Sequence, residues 1–247
     1  MFSFFKKKKK EYSVDFEAIG VDIHSHLIPG VDDGAKNIED AIALIRGLKN
    51  LGFKKIITTP HVYQDYYPNT SDRLLAGLDT LRNALKSANI DIEVECAAEY
   101  YMDEVFESLL DKKELLTFGG NHVLVEMSFF QEVNKLEEYL FQMQIAGYQP
   151  ILAHPERYTY YMRNFERFQN IKDRGCKLQL NLLSLTGHYG KEVKDLAIKL
   201  LDNNLYDFVG TDTHNLGHIE QLKTLKATEG KGANLIKNKF FNNTFLG

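Results

Sequence analysis

Cysteine is scarce: the chain holds two, Cys96 and Cys176. A disulfide framework needs more, so a reducing cytoplasm is the expected location. Neither cysteine can serve a thiolate phosphatase. Such a site needs an arginine six residues on, and those positions are Met102 and Leu182. Both thiols are expected to be small buried apolar groups. No apolar run approaches the roughly 18 residues of a membrane-spanning helix. An excess of positive charge is also missing. The net charge is −4, which leaves no general electrostatic footprint for nucleic acid, and none is expected as a partner.

One local exception sits at the N-terminus, where Met1-Phe2-Ser3-Phe4-Phe5 precedes five lysines, Lys6 to Lys10. The order is the reverse of a signal peptide, and the apolar part is too short for one. Residues 1–19 are therefore expected to be a flexible basic tail, with weak membrane-surface contact through Lys6–Lys10 as the sharper alternative. No linker-like stretch follows, so 20–247 is expected to form one catalytic domain of a size that can bury a core.

What is present is a repeat of apolar, β-rich runs: Gly20–His26, Lys55–His61, Ile90–Tyr100, His122–Ser128, Pro150–His154, Lys177–Leu185 and Tyr206–His214. Helix-like segments lie between them. Ile38–Leu51 carries Ile38, Ile42, Ile45, Leu48 and Leu51 at helical spacing, and Ser71 precedes Leu74, Leu75, Leu78, Leu81 and Leu85. Asn134–Ala146, Phe165–Gly175 and Lys191–Asn203 read the same way, with Gly52, Gly147 and Gly175 where helix C-caps would fall. Strands alternating with helices imply an α/β fold with parallel pairing. Seven units could close into a barrel or open into a doubly wound sheet. Polar residues at nearly every strand's C-terminal end favour the barrel, because a closed barrel gathers those ends on one face.

His24 and His26 are two residues apart, so in a strand they share a face and can meet one cation. Asp212 and His214 repeat that geometry in the last strand. His61, Glu99, Glu126 and His154 each end an apolar run. Any one of them could be a rim hydrogen bond. Together they make a donor set of imidazoles and carboxylates without thiolate, which suits Mn²⁺, Fe or Zn²⁺. So many ligands point to two or three metals, with Glu99 the expected bridge and phosphoester hydrolysis the expected chemistry. Arg157, three residues after His154, can grip phosphate oxygens in a fork. Its alternative is a surface salt bridge with Glu156 or a neighbour. Tyr63, Tyr66 and Tyr67 follow His61 and could stack on an aromatic substrate or pack their own loop.

These residues resemble the PHP (polymerase and histidinol phosphatase) superfamily, and within it the bacterial manganese-dependent tyrosine-protein phosphatases of capsule and exopolysaccharide synthesis. The motifs that carry the resemblance are Asp22-Ile23-His24-Ser25-His26, Val31-Asp32-Asp33-Gly34, Thr59-Pro60-His61, Ala98-Glu99-Tyr100, Val125-Glu126, His154-Pro155-Glu156-Arg157-Tyr158 and Gly210-Thr211-Asp212-Thr213-His214-Asn215. The resemblance implies a distorted (β/α)7 barrel and three divalent metals, with Mn²⁺ first and Fe or Zn²⁺ next. His24, His26, Glu99 and Asp212 would hold the first metal. Glu99, Glu126 and His154 would hold the second, and Asp33, His61 and His214 the third. Spacing alone leaves Asp32 as plausible as Asp33. Arg157 would bind phosphate. A second arginine, usual after the Asp-x-His-Asn motif, is replaced here by Leu216-Gly217-His218-Ile219-Glu220, with protonated His218 a candidate substitute. The expected reaction is hydrolysis of phosphotyrosine by a metal-bridged hydroxide, with a metal-bound water, or His61 or His214 where not fully committed as ligands, as proton donor, the choice left open, and Tyr63 beside the ring. The expected partner is a phosphotyrosine protein, a bacterial tyrosine kinase. The alternatives are a small-molecule phosphatase such as histidinol phosphatase, another phosphoesterase of that superfamily, or a metal-loaded binding module without turnover.

Overall fold

The longest helices begin where a side chain can close the first turn. In the computed structural model, which describes residues 11–228 and 240–246, Asn37 accepts from the Asp40 amide at 2.8 Å and opens a helix over Ile38–Leu51. Thr70 accepts from the Arg73 amide and opens one over Ser71–Ser87. The buried stripe of the second runs Leu74, Leu78, Leu81 and Leu85, one residue per turn; Leu75 points to solvent.

In chain order the elements are β1 (Glu11–Ser13), α1 (Phe16–Ile19), β2 (Val21–Asp22), α2 (Ile38–Leu51), β3 (Lys55–Thr58), β4 (His61–Val62), α3 (Ser71–Ser87), β5 (Glu93–Cys96), β6 (Glu99–Tyr101) and α4 (Glu104–Lys112). Then follow β7 (His122–Glu126), α5 (Leu136–Ile145), β8 (Gln149–Ala153), α6 (Glu166–Asp173), β9 (Lys177–Asn181), α7 (Leu182–Thr186), α8 (Lys191–Asp202), β10 (Phe208–Gly210), α9 (Leu216–Lys223) and β11 (Lys226–Thr228). Two parallel sheets result, ordered β10-β9-β8-β7-β6-β4 and β2-β3-β5.

Two of the apolar runs are each cut in two. Thr59-Pro60 separates β3 from β4, and Ala97-Ala98 separates β5 from β6. Pro60 has no N–H for a ladder, which breaks the regular pairing there. The chain still holds its course: Thr59 N donates to Ser25 O, Ala97 N to Thr58 O and Glu99 N to Pro60 O. On the other side, Asp212 N donates to His24 O at 2.7 Å and His26 N to Thr213 O at 3.0 Å, so the first and last strand ends are neighbours. Gly210 permits that approach, because a Cβ there would lie 2.5 Å from His24 Cβ. The run expected over Lys177–Leu185 is a strand only to Asn181. Asn181 then caps α7 by accepting from the Leu183 amide.

Two apolar layers flank the parallel strands. A large one packs helices against the outside, including Leu44, Leu48, Leu78, Leu140 and Phe168. A small one lies separately and joins Val21, Ile23, Ile57, Ala97, Leu124, Ile151 and Phe208 to Phe118 and Phe245.

The boundary expected at residue 19 moves toward the N-terminus. Residues 11–13 pair antiparallel with β11, and α1 buries Phe16 and Ile19. Apolar burial is what draws this stretch into the fold. The Lys6–Lys10 run lies outside the described residues. Among the described residues, no helix is long and apolar enough to cross a membrane.

Candidate metal centre

Side chains two apart on a strand share a face. Leu124 therefore shares a face with Glu126 on β7. At the C-terminal strand ends that face turns polar and buried. His24, His26 and Glu99 are wholly inaccessible, and His154 and Asp212 nearly so. Two of these backbones take the left-handed region that non-glycine residues rarely visit: φ is 34° at His154 and 51° at Asp212. Such conformations cluster at functional sites.

Glu99 is at the middle. Its Oε2 lies 3.1 Å from His24 Nε2, 3.2 Å from His61 Nδ1 and 3.6 Å from His26 Nε2, while Oε1 lies 2.8 Å from His154 Nε2. Glu126 Oε1 sits 3.1 Å from His61 Nδ1. Asp212 Oδ1 faces His26 Nε2, His24 Nε2 and His214 Nδ1 at 3.2, 3.4 and 3.4 Å. Asp33 Oδ1 faces His214 Nε2 at 3.4 Å and His61 Nε2 at 3.7 Å. All nine residues expected as ligands thus meet in one place.

The rear nitrogens are occupied. His24 Nδ1 donates to Gln179 Oε1 at 2.9 Å, His26 Nδ1 to Asp32 Oδ2 at 2.8 Å and His214 Nδ1 to Asp212 O at 2.9 Å. This leaves Nε2 of each ring for the centre. Asp32 and Asp33 are thereby told apart. Asp32 stands behind His26 and also accepts from the His61 and Gly34 amides, whereas Asp33 faces the cavity.

The arrangement fits divalent cations. His24 Nε2 and His26 Nε2 face one another at 3.3 Å. The contacts of the buried His61 Nδ1 with Glu99 and Glu126, at 3.2 and 3.1 Å, lack hydrogen-bond geometry. Four sets have ligand atoms within 4.8 Å of one another: His26, Asp33, His61 and His214; His24, Glu99 and His154; His24, His26 and Asp212; and His61, Glu99 and Glu126. Oxygen and nitrogen donors so arranged suit Mn²⁺, Fe or Zn²⁺.

Electrostatics agree. Burial alone would make the imidazoles neutral, but Glu99 and Asp212 outweigh it and raise His24. Asp32 and Asp212 do the same, more strongly, for His26. Glu126 and Glu99 push His61 up to about 9. Burial opposes ionisation of Glu99 and Asp212, yet the imidazoles hold both well below the usual carboxylate range. His218 moves the other way: burial and His214 push it down to about 4. In the cation-free site this favours the neutral form of His218, whose imidazole lines the cavity. Burial pushes both cysteine thiols up to about 12, which suits inert core groups.

Arg157 reaches the centre from a short turn over Pro155–Arg157. Its Nη1 donates to Asp212 Oδ2 at 3.1 Å. The salt bridge with Glu156 does not form. Glu156 turns into the core and accepts from the Asn181 amide, Ser184 Oγ and Tyr206 OH. Asn181 Nδ2 also donates to Asp212 Oδ2, leaving Oδ1 to the imidazoles. The cavity above holds about 480 Å³ and includes Tyr63, Tyr66 and Tyr67 in its wall. Tyr63 stacks on Tyr101 at 4.0 Å and Tyr67 on His61 at 5.4 Å.

Gln179, Phe129, Tyr189 and His188 also belong to this site and escaped the sequence reading. Gln179 had a signal, since it sits two residues before Asn181 on an inward strand face. The other three lie in loops with no period to mark them.

Fold and site define a parallel α/β protein with a convergent imidazole–carboxylate cluster that could hold metal ions. The chain belongs to the family described as "Capsular polysaccharide synthesis, CpsB/CapC", whose model matches residues 20–240. It is 31% identical to the tyrosine-protein phosphatase YwqE of Bacillus subtilis, over 79% of this chain and 78% of that one. It is 29% identical to the tyrosine-protein phosphatase CpsB of Streptococcus pneumoniae, over 79% and 83%. A crystal structure from work on those two proteins, there called unique metal-dependent tyrosine phosphatases, matches with a TM-score of 0.75 and 30% identity, over 82% of this chain and 84% of that one. An amidohydrolase from Mycoplasma synoviae shares the fold alone, at 13% identity and a TM-score of 0.50, over 95% and 85%.

Proposed function

We propose that this chain is a metal-dependent protein-tyrosine phosphatase of capsular polysaccharide synthesis, acting on a phosphotyrosine protein such as a tyrosine kinase. The observation that carries this reading is the convergence of five imidazoles and four carboxylates in overlapping ligand sets, seven of them lining one cavity that also presents Arg157. The strands are read as seven lines of a distorted (β/α)7 barrel. The split runs count as one line each, and the His24–Asp212 contact joins the last line to the first.

His24, His26, Glu99 and Asp212 would hold one cation, Glu99, Glu126 and His154 a second, and Asp33, His61 and His214 a third. Mn²⁺ is the first choice, and Fe or Zn²⁺ fits the same donors. His26 and His61 lie between neighbouring positions, since each also falls within reach of an adjacent set. Bound cations would supply an activated water and neutralise charge on the phosphoryl group.

The chain's own residues do the rest. The Arg157 fork takes phosphoryl oxygens while Asp212 holds its Nη1. Tyr63, backed by Tyr101, offers an aromatic face to the substrate ring. The leaving group is a phenolate, whose conjugate acid has a pKa of about 10, so it needs little protonation. His61 and His214 stand on the cavity wall and could hand it a proton if not fully committed as ligands; a water on the bound cations would serve otherwise.

The test is a turnover panel with Mn²⁺ using a phosphotyrosine peptide, histidinol phosphate and a single-stranded oligonucleotide. The peptide should be hydrolysed with the highest kcat/KM. Preference for histidinol phosphate or the oligonucleotide would overturn the substrate class.

A further inference from the structure

The Arg157 guanidinium lies between two aromatic faces. Its Cζ is 4.2 Å from the Phe129 ring centre and 4.3 Å from the Tyr189 ring centre. Each wall is itself supported. Phe129 stacks on the buried Tyr158 at 5.9 Å. The Tyr189 hydroxyl accepts from Asn181 Nδ2 at 3.1 Å and donates to Asp212 Oδ2 at 3.3 Å. Asp212 also takes Nη1, so one edge of the guanidinium is anchored while its carbon lies over two rings.

An arginine side chain has many rotamers, and binding an anion normally costs the entropy of selecting one. A flat cation held between two rings keeps only in-plane N–H donors free. Among the described residues lining the cavity, Arg157 is the one arginine, and no lysine accompanies it. Its orientation therefore decides how the side chains grip an oxyanion.

We propose that Phe129 and Tyr189 are positioning residues, a pair of aromatic walls that hold the Arg157 guanidinium in the plane in which it binds a phosphate oxyanion. The proposal rests on Arg157 being the phosphate ligand of the reading above, and it adds two residues that act through it rather than on the substrate.

Inorganic phosphate is the probe, because it has no ring for an aromatic wall to touch. Its affinity for the Mn²⁺-loaded protein is measured by calorimetry, independently of turnover, with metal content and thermal midpoint checked for each variant. Phe129→Leu should weaken phosphate binding about fivefold, in the range of a partly exposed cation–π contact. Phe129→Tyr should restore it to within about twofold, since the π face returns. In an Arg157→Met background, Phe129→Leu should change nothing further. Tyr189→Leu tests the opposite wall in the same way and stands in if Phe129→Leu fails to fold. Unchanged phosphate affinity in Phe129→Leu, or an equal loss with Arg157 already removed, overturns the proposal. So does a rise in KM for phosphotyrosine without any loss of phosphate affinity, which would make Phe129 a substrate contact. If wild type binds phosphate tightly but does not hydrolyse phosphotyrosine, the substrate reading fails and the walls stand. If wild type binds phosphate no better than Arg157→Met, the role of Arg157 fails and the walls with it.

Discussion

Along β7, Leu124 and Glu126 occupy the same face two residues apart. Leu124 belongs to an apolar cluster with Ile57, Ile151 and Phe208, and Phe118 and Phe245 pack onto it. Glu126 belongs to a buried group of imidazoles and carboxylates. Ala97, in the break before β6, joins the same apolar cluster, while Glu99 at the start of β6 joins the polar group. One end of the strands follows the ordinary rule that apolar groups go inside. The other end breaks it, burying ionisable groups whose mutual pairing outweighs the desolvation that opposes their charged forms. A fold that gathers five imidazoles and four carboxylates at one rim, far more than the scattered buried charges elsewhere such as Glu156 and Lys55, is using that rim for chemistry.

Three experiments would break or sharpen this contrast. The largest effect is expected at the polar end. Asp212→Ala should lower turnover on the order of a thousandfold, the scale of several kcal/mol of transition-state charge stabilisation. Metal content by elemental analysis should fall with it, and retained turnover in the variant would contradict the site. At the apolar end, Phe208→Ala should destabilise the protein by about 3–5 kcal/mol in urea unfolding, the usual cost of emptying a buried aromatic site. Its kcat per folded molecule should stay within about twofold of wild type, because the residue reaches no reacting group. Should activity collapse while stability holds, the two ends are not independent.

The smallest effect is a pH dependence confined to the polar end. His24 and His26 are raised above the usual histidine value, and His61 is raised to about 9. In the cation-free protein their stabilisation is complete below the unfolded value near 6.5. It is lost as pH rises through the folded values. The stability of the cation-free protein should therefore fall from about pH 6.5 to 9 as His61 titrates, by up to about 1.4 kcal/mol per pH unit, and its thermal midpoint should fall with it. A cation replaces those protons, so its apparent affinity should rise over the same range with proton release. A cation-free midpoint that is flat or rising across this window would show that the imidazoles are not held by their carboxylates.

Much of this was legible in the sequence where a period or a cap marks it. Ile38–Leu51 matches its helix because an apolar stripe, an Asn37 cap and Gly52 at φ 120° all agree. Lys191–Asp202 was likewise readable. The runs ending in His61 and Glu99 were found as strands, but their breaks at Thr59-Pro60 and Ala97-Ala98 were not, because apolar content alone does not say where a ladder is interrupted. Short α4 and α9 lack a long stripe and passed unnoticed. The choice between Asp32 and Asp33 was open, since adjacent carboxylates differ only in where the backbone aims them.

By itself, the sequence determined which chemical groups were on offer and which segments would be strand or helix, because residue type and period are local properties. Only the tertiary structure decided which atom of each group faces the centre. His24 is turned by Gln179, 155 positions away, and Arg157 is tied to Asp212, 55 positions away. Partnerships across such distances leave no period in a linear chain, because they exist only once the strands lie side by side.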